Sequence, residues 1–100
     1  MATGGGGLLS VDFEVIGKVQ GVFFRKYTQK NASQRGLVGW VQNTERGSVT
    51  GKMQGPEKEV KDMKRWLKKT GSPKSRIDRC IFKDEQTITQ KEFRSFDIVK

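Results

Sequence analysis

Residues 9–35 read LSVDFEVIGKVQGVFFRKYTQKNASQR. Apolar and polar side chains alternate over the first seven of these positions, which is the period-two pattern of a half-buried strand, and the strand is predicted to end at Gly17. From residue 24 to residue 35 the spacing becomes helical, with one stripe formed by Phe24, Thr28 and Ala32. Gly36 follows where a glycine can close a helix in the left-handed conformation. The stretch therefore predicts a strand, a glycine-containing loop and a helix.

The rest of the chain supplies four more strands and a second helix. The strands are predicted at 37–42, 48–54, 77–83 and 93–99. The first two of these are joined by a hairpin loop at 43–47, and the second helix opens at Pro56 and ends at 71–73. The order is strand, helix, strand, strand, helix, strand, with one extra strand at the end. It predicts an α+β ferredoxin-like sandwich, an antiparallel sheet with both helices on one face.

Composition limits the size and the chemistry of the protein. One hundred residues suffice for one domain, predicted over 8–100 behind a flexible glycine-rich tail at 1–7. No signal peptide is visible, and the apolar runs are far shorter than the roughly 18 residues of a membrane span. Cys80 is the single cysteine and there is no histidine, which argues against an internal disulfide and an ordinary zinc site. We expect a cytoplasmic monomer with no metal, cofactor or membrane contact.

The net charge of +9 has more than one interpretation. It is compatible with a solvated basic surface, with nucleic-acid binding and with attraction to phosphorylated small molecules. Charge alone does not distinguish them.

The loop between the first strand and the first helix carries the clearest chemical signal. It reads Gly17-Lys18-Val19-Gln20-Gly21-Val22-Phe23-Phe24-Arg25, so its backbone amides converge on a helix amino terminus. Unpaired amides and the helix dipole together bind anions. Gly21 allows close approach of a ligand, and the Arg25 guanidinium can hold two phosphate oxygens. A tight turn beside a surface arginine is the alternative.

Asn43 begins the predicted hairpin loop, at the end of the strand that follows the first helix. In the predicted topology that strand end lies near the glycine-containing loop. The alternative is a turn residue that bonds to its own backbone.

The two segments together resemble the acylphosphatase family, and the similarity extends from Leu8 to Lys100. It is carried by GKVQGVFFR at 17–25 and GLVGWVQNT at 36–44. Shorter matches are Gly47, Gln54-Gly55-Pro56, Gly71-Ser72-Pro73 and Phe96-Asp97-Ile98-Val99-Lys100. The pattern looks closest to the animal enzymes.

The resemblance implies an enzyme that hydrolyses the carboxyl–phosphate bond of acyl phosphates without a cofactor. It implies that Arg25 binds the phosphate, that Asn43 orients the attacking water and that Thr44 supports the site. The backbone amides around the phosphate would belong to Gln20, Gly21, Val22, Phe23, Phe24 and Arg25. Small acyl phosphates and acyl-phosphorylated proteins are both compatible substrates, with inorganic phosphate as a product.

Acyl phosphate hydrolysis suits a chain with so few catalytic side chains. The leaving group is a carboxylate, whose conjugate acid has a pKa of about 4, so no general acid is needed. Phosphoryl transfer passes through a loose transition state and depends mostly on positioning and charge. We expect direct attack by water and no phosphoenzyme.

Other phosphate chemistries and a binding role fit less well. Cys80 lacks the following arginine of a cysteine phosphatase, and residues 47–53 fall short of a nucleotide P-loop. An RNA-recognition module has a related element order, but the strand at 48–54 lacks the aromatic residues such a module stacks on bases. Nonspecific contact with polyanions remains compatible, whereas an intact Arg25 and Asn43 argue against an inactive anion sensor.

Overall fold

The computed structural model describes residues 7–100. Its elements in chain order are β1 (Leu8–Lys18), α1 (Phe24–Gln34), β2 (Val38–Asn43), β3 (Val49–Pro56), α2 (Glu57–Lys69), β4 (Arg76–Ile88) and β5 (Phe96–Val99). The predicted elements are all present. Within the described range, neither helix has the length and apolar character needed to cross a membrane.

The strands form one sheet in the order β4-β1-β3-β2-β5. β1 pairs with β3 and β4, and β2 pairs with β3, all in antiparallel orientation. β5 pairs with β2 in parallel, because the chain leaves β4 at one edge, reverses and reaches the opposite edge. The predicted ferredoxin-like sandwich is confirmed, and its fifth strand makes the sheet mixed rather than wholly antiparallel.

The core lies between the sheet and the two helices. The buried side chains alternate along β1 and follow helical spacing on α1 and α2, as the sequence pattern predicts. The buried sets are Val11, Phe13 and Val15 on β1, Phe24, Thr28 and Ala32 on α1, and Val60, Met63 and Leu67 on α2. The two helices meet through the rings of Phe24 and Trp66, whose centroids are 5.7 Å apart. Burial of each large apolar side chain contributes about 1.5–3 kcal/mol.

The helix ends follow from local chemistry. Gly36 adopts a φ of +74°, and its N–H donates to the Ser33 carbonyl at 3.1 Å. The Leu37 N–H donates to the Ala32 carbonyl at 2.9 Å, which completes the glycine cap predicted for α1. Pro56 ends β3 and precedes α2 rather than forming its first residue.

The last two strands differ in length from the prediction. β4 continues through Ile88, although residues 84–87 are polar and exposed, because this segment pairs with the start of β1. Asp84 interrupts β4 with a φ of +54° beside a register shift in that pairing. β5 begins only at Phe96, which is buried and lies opposite Gly39.

The predicted tail at residues 1–7 lies outside the described residues except for Gly7. The Gly7 carbonyl accepts a hydrogen bond from the Glu57 N–H at 3.1 Å. This contact joins the start of β1 to the start of α2.

Candidate active site

A cleft of about 450 Å³ opens where the loop after β1 enters α1. It is lined by Val19, Gly21, Phe23, Phe24, Arg25, Lys26, Asn43, Ile98 and Lys100. The two residues predicted for catalysis, Arg25 and Asn43, therefore lie at one site although a loop and a strand end carry them. Of the other predicted residues, Gly21, Phe23 and Phe24 line the cleft, whereas Gln20, Val22 and Thr44 do not.

The loop backbone takes conformations that leave its amides available. Gly21 has a φ of +75°, which glycine adopts without strain, and Phe23 has a φ of +58° at the helix N-cap. The first hydrogen bond of the helix runs from the Tyr27 N–H to the Phe23 carbonyl at 3.0 Å. The amides of residues 24–26 consequently have no acceptor within α1, and no described side chain caps this end. This amino terminus is suited to an anion.

Basic side chains surround the cleft. Arg25, Lys26 and Lys100 line it, and its lining among residues 7–100 contains no Asp or Glu. The first turn of α1 has no acidic residue either. Fixed positive charge and the helix dipole thus act in the same direction, in favour of an anionic ligand.

Asn43 lines this site and has a buried polar atom without a hydrogen-bond partner among the described residues. It is the last residue of β2, where it pairs with Val49 of β3. Its Oδ1 is buried and accepts no hydrogen bond from the described part of the protein. A buried acceptor without a partner costs about 1–3 kcal/mol. The Asp12 Oδ1, the Arg35 Nε and the Ser72 Oγ are also buried without a hydrogen-bond partner in residues 7–100 and do not line the cleft, so this feature by itself does not mark a functional residue.

Gln20 connects the loop to the hairpin that follows Asn43. Its Nε2 donates to the Thr44 carbonyl at 2.9 Å and to the Ser48 carbonyl at 2.8 Å. The Thr44 Oγ1 also lies 2.7 Å from the Ser48 Oγ and accepts from the Ser48 N–H at 3.1 Å. The sequence predicted Gln20 and Thr44 as site residues, and the structure shows that they hold its two halves together.

Glu14 anchors the other side of the same hairpin. Its Oε2 accepts from the Ser48 Oγ at 2.5 Å and from the Arg46 Nη2 at 2.6 Å. The Ser48 hydrogen bond and, next, the Arg46 guanidinium hold the pKa of Glu14 below its ordinary value of 4.5. Glu14, Ser48 and Arg46 were not predicted as site residues, since only the folded hairpin brings them together.

The described residues offer no metal centre and no activated thiol. No three His, Cys, Asp or Glu side chains in residues 7–100 are grouped to hold a metal ion. Cys80 lies on β4, opposite Val15 of β1, and does not line the cleft. Burial raises the pKa of its thiol to about 11, so the thiol stays protonated at neutral pH.

The fold and the cleft define a class of protein. It is a ferredoxin-like α+β domain with a basic cleft at the start of its first helix.

Comparison with known proteins specifies the family. The acylphosphatase family profile matches residues 11–98. Acylphosphatase-2 of Rattus norvegicus is 59% identical over 91 residues, which are 91% of this chain and 94% of that protein. Acylphosphatase-1 of Homo sapiens is 54% identical over 96 residues, 96% of this chain and 97% of that protein. The crystal structure of acylphosphatase from Bacillus subtilis superimposes with a TM-score of 0.84 at 34% identity, covering 92% of this chain and 99% of that one.

The chain belongs to the acylphosphatase family, as its sequence motifs predicted. It is a hydrolase that acts on acyl phosphates.

Proposed function

We propose that the protein hydrolyses acyl phosphates by direct attack of water on phosphorus, with no metal ion and no phosphoenzyme. Arg25 and the loop amides hold the phosphate, and Asn43 orients the water. The observation that carries this proposal is the shared cleft. Its lining brings Arg25 and Asn43 together, with no Asp or Glu side chain among the described residues that line it.

The phosphate is held by the amino-terminal end of α1 and the loop before it. The amides of residues 20–25 donate to its oxygens, and the Arg25 guanidinium donates two further hydrogen bonds. Gly21 has no side chain to obstruct the ligand. Thr44 supports this arrangement through the hairpin hydrogen bonds rather than by touching the reacting atoms.

The attacking water is held by Asn43. Asn43 lines the cleft, and its side-chain amide hydrogen-bonds to the water, which directs the water oxygen at phosphorus. One P–O bond forms to the water as the P–O bond to the acyl oxygen breaks. The carboxylate departs with the bonding electrons, and the water proton passes to a phosphate oxygen, which yields inorganic phosphate.

No further catalytic group is needed for this reaction. The departing carboxylate is a weak base, because its conjugate acid has a pKa of about 4. The remaining task is to stabilise the charge on the phosphoryl oxygens, which Arg25 and the amides perform without rearrangement.

The same proposal includes the class of substrate, the cellular compartment and the oligomeric state. Small-molecule acyl phosphates fit an open surface cleft, and an acyl phosphate on a protein side chain can also reach it. We propose a cytoplasmic monomer, in keeping with the half-buried, unpaired Cys80.

The test is hydrolysis of benzoyl phosphate in EDTA by the wild type, Arg25→Ala and Asn43→Ala. We expect full activity of the wild type and a loss of about 10²–10³-fold in each variant. Phosphate should inhibit Asn43→Ala as it inhibits the wild type, but should inhibit Arg25→Ala more weakly. The exposed Arg94 provides the control Arg94→Ala, which removes a positive charge away from the cleft.

Two results would contradict the mechanism. One is loss of wild-type activity in EDTA that a divalent ion restores. The other is labelled phosphate trapped on the protein by rapid quenching. Circular dichroism of each variant separates a chemical defect from a folding defect.

A further inference from the structure

A second cleft, of about 360 Å³, adjoins the phosphate cleft along α1. It is lined by Phe23, Lys26, Tyr27 and Lys30. These positions have the spacing i, i+3, i+4 and i+7, so they form one stripe on the outer side of the helix. The inner stripe of α1 is part of the core, and the outer stripe is therefore available to a ligand.

The aromatic residues of this stripe are unusually exposed. Phe23 is 72% exposed and Tyr27 is 36% exposed. Phe23 also has a left-handed backbone, with a φ of +58°, which is unfavourable for a bulky side chain. An exposed aromatic residue held in a strained conformation beside a reaction site indicates a role in binding.

The two clefts are adjacent, because Phe23 and Lys26 line both of them. In an in-line displacement the attacking and leaving oxygens lie on opposite sides of phosphorus. With the water held by Asn43 on β2, the acyl oxygen points away from β2. The second cleft is lined by α1 and its N-cap residue and by no described residue of β2, so it is a neighbouring surface that the acyl group can reach.

The charge of α1 adds a second preference. The helix has no Asp or Glu, and Lys26 and Lys30 flank the two aromatic rings. Phe23 and Lys30 are seven residues apart, which corresponds to about 10 Å along a helix. A ligand that lies on the rings can thus bring a second negative charge near Lys30.

We propose that Phe23, Lys26, Tyr27 and Lys30, here termed the acyl shelf, bind the acyl group of the substrate. The acyl shelf favours aromatic or other flat apolar acyl groups, above all those with a carboxylate at the far end. This inference rests on the proposed function, since the phosphate must occupy the first cleft for the acyl group to reach the second.

The test compares kcat/KM for acetyl phosphate, benzoyl phosphate and 4-carboxybenzoyl phosphate. Tyr27→Ala and Tyr27→Gln should lower the ratio of kcat/KM for benzoyl phosphate to kcat/KM for acetyl phosphate by about threefold or more, because the ring contact is lost. Lys30→Ala should lower the ratio of kcat/KM for 4-carboxybenzoyl phosphate to kcat/KM for benzoyl phosphate by about twofold. Added salt should reduce the same ratio in the wild type, because it screens the charge of Lys30. Lys58→Ala, an exposed lysine on α2 outside both clefts, is the matched control and should alter neither ratio.

A binding measurement keeps this test independent of turnover. Phenacylphosphonate and acetonylphosphonate have a methylene in place of the bridging oxygen, and calorimetry gives their affinities directly. We expect the wild type to bind the phenacyl compound more tightly, and Tyr27→Ala to lose most of that difference. Equal affinities in the wild type, or ratios that Tyr27 and Lys30 variants leave unchanged, would overturn the acyl shelf while the hydrolase activity stands. A wild type inactive on all three substrates would instead contradict the proposed function.

Discussion

The side chain of Gln20 donates a hydrogen bond to the carbonyl of Thr44, with 2.9 Å between Nε2 and the carbonyl oxygen. Gln20 belongs to the loop proposed to hold the phosphate, and Thr44 directly follows Asn43, the residue proposed to orient the water. In that mechanism the distance between the phosphate and the water depends on this contact and on the parallel bond to Ser48.

Replacing Gln20 tests that dependence. In Gln20→Ala the Thr44 and Ser48 carbonyls lose the Gln20 donor and keep only their donors within the hairpin, which should lower the free energy of unfolding by about 1–2 kcal/mol. Because Asn43 can then shift relative to Arg25, kcat should fall by about tenfold or more. Ser75→Ala is the control, since it removes a side-chain hydrogen bond to the Ser72 carbonyl outside the cleft. A Gln20 variant that loses stability but retains kcat would show that the contact is structural only.

Glu14 gives the protein a defined response to acid. Its folded-state pKa is lowered, so its stabilising contribution is fully present above the ordinary value of 4.5 and is lost as the pH falls through the folded-state value. Glu14→Gln should be less stable than the wild type by about 1–2 kcal/mol at pH 7, with the difference narrowing below about pH 4.5. Urea unfolding across this pH range measures it. Glu45→Gln, an exposed carboxyl in the same hairpin, is the control; a Glu14 difference equal at pH 3 and pH 7 would contradict the assignment.

The left-handed backbone of Phe23 should lower the stability of the fold, while its ring should contribute to substrate binding. Asparagine tolerates a left-handed backbone better than phenylalanine does, so Phe23→Asn should raise the free energy of unfolding by about 1 kcal/mol. The same variant loses a ring of the acyl shelf and should prefer benzoyl over acetyl phosphate less than the wild type does. Tyr27→Asn, at a helical position, should instead destabilise. Thermal unfolding measures the stability of the two variants, and kinetics with benzoyl and acetyl phosphate measure their substrate preference. A Phe23→Asn variant less stable than the wild type would argue against backbone strain at this position.

The basic surface of α2 should bind nucleic acid only weakly. Three of its cations are already paired, Lys61 with Glu57, Lys64 with Glu85 and Arg65 with Asp62. Phe13, on the strand where an RNA-recognition module stacks bases, is 1% exposed and unavailable. A gel shift with RNA should appear at low salt and vanish at about 0.15 M. A complex that persists at that salt concentration would indicate a specific nucleic-acid site.

The order of the elements could be predicted because each one carries its own pattern. β1 alternates strictly, α1 closes at Gly36, and the core residues recur with the period of their element. The end of β4 could not be predicted from the sequence, since residues 84–87 are polar and are held in the strand only by pairing with β1. The parallel pairing of β5 also depends on which sheet edge is free, which no local pattern records.

Some features of the candidate site could also be predicted from the sequence, whereas others depend on the folded structure. Arg25 and Asn43 stand in segments whose composition already suggests anion binding and a turn, and both line the cleft. The bridge from Gln20 and the network around Glu14 arise only when the hairpin folds beside the loop. Lys100 reaches the cleft through the pairing of β5 with β2, so its proximity to Arg25 had no counterpart in the sequence.

The long outer strand has a consequence for the protein at high concentration. Along β4 one row of backbone N–H and C=O groups faces outward, which could template the addition of a strand from another molecule. Charged side chains are spread along this edge, and they are Arg76, Asp78, Arg79, Lys83, Asp84 and Glu85. The left-handed backbone at Asp84 also breaks the regular ladder, while the opposite edge strand, β5, has only four residues. Both edges of the sheet thus carry features that oppose the pairing of a strand from another molecule.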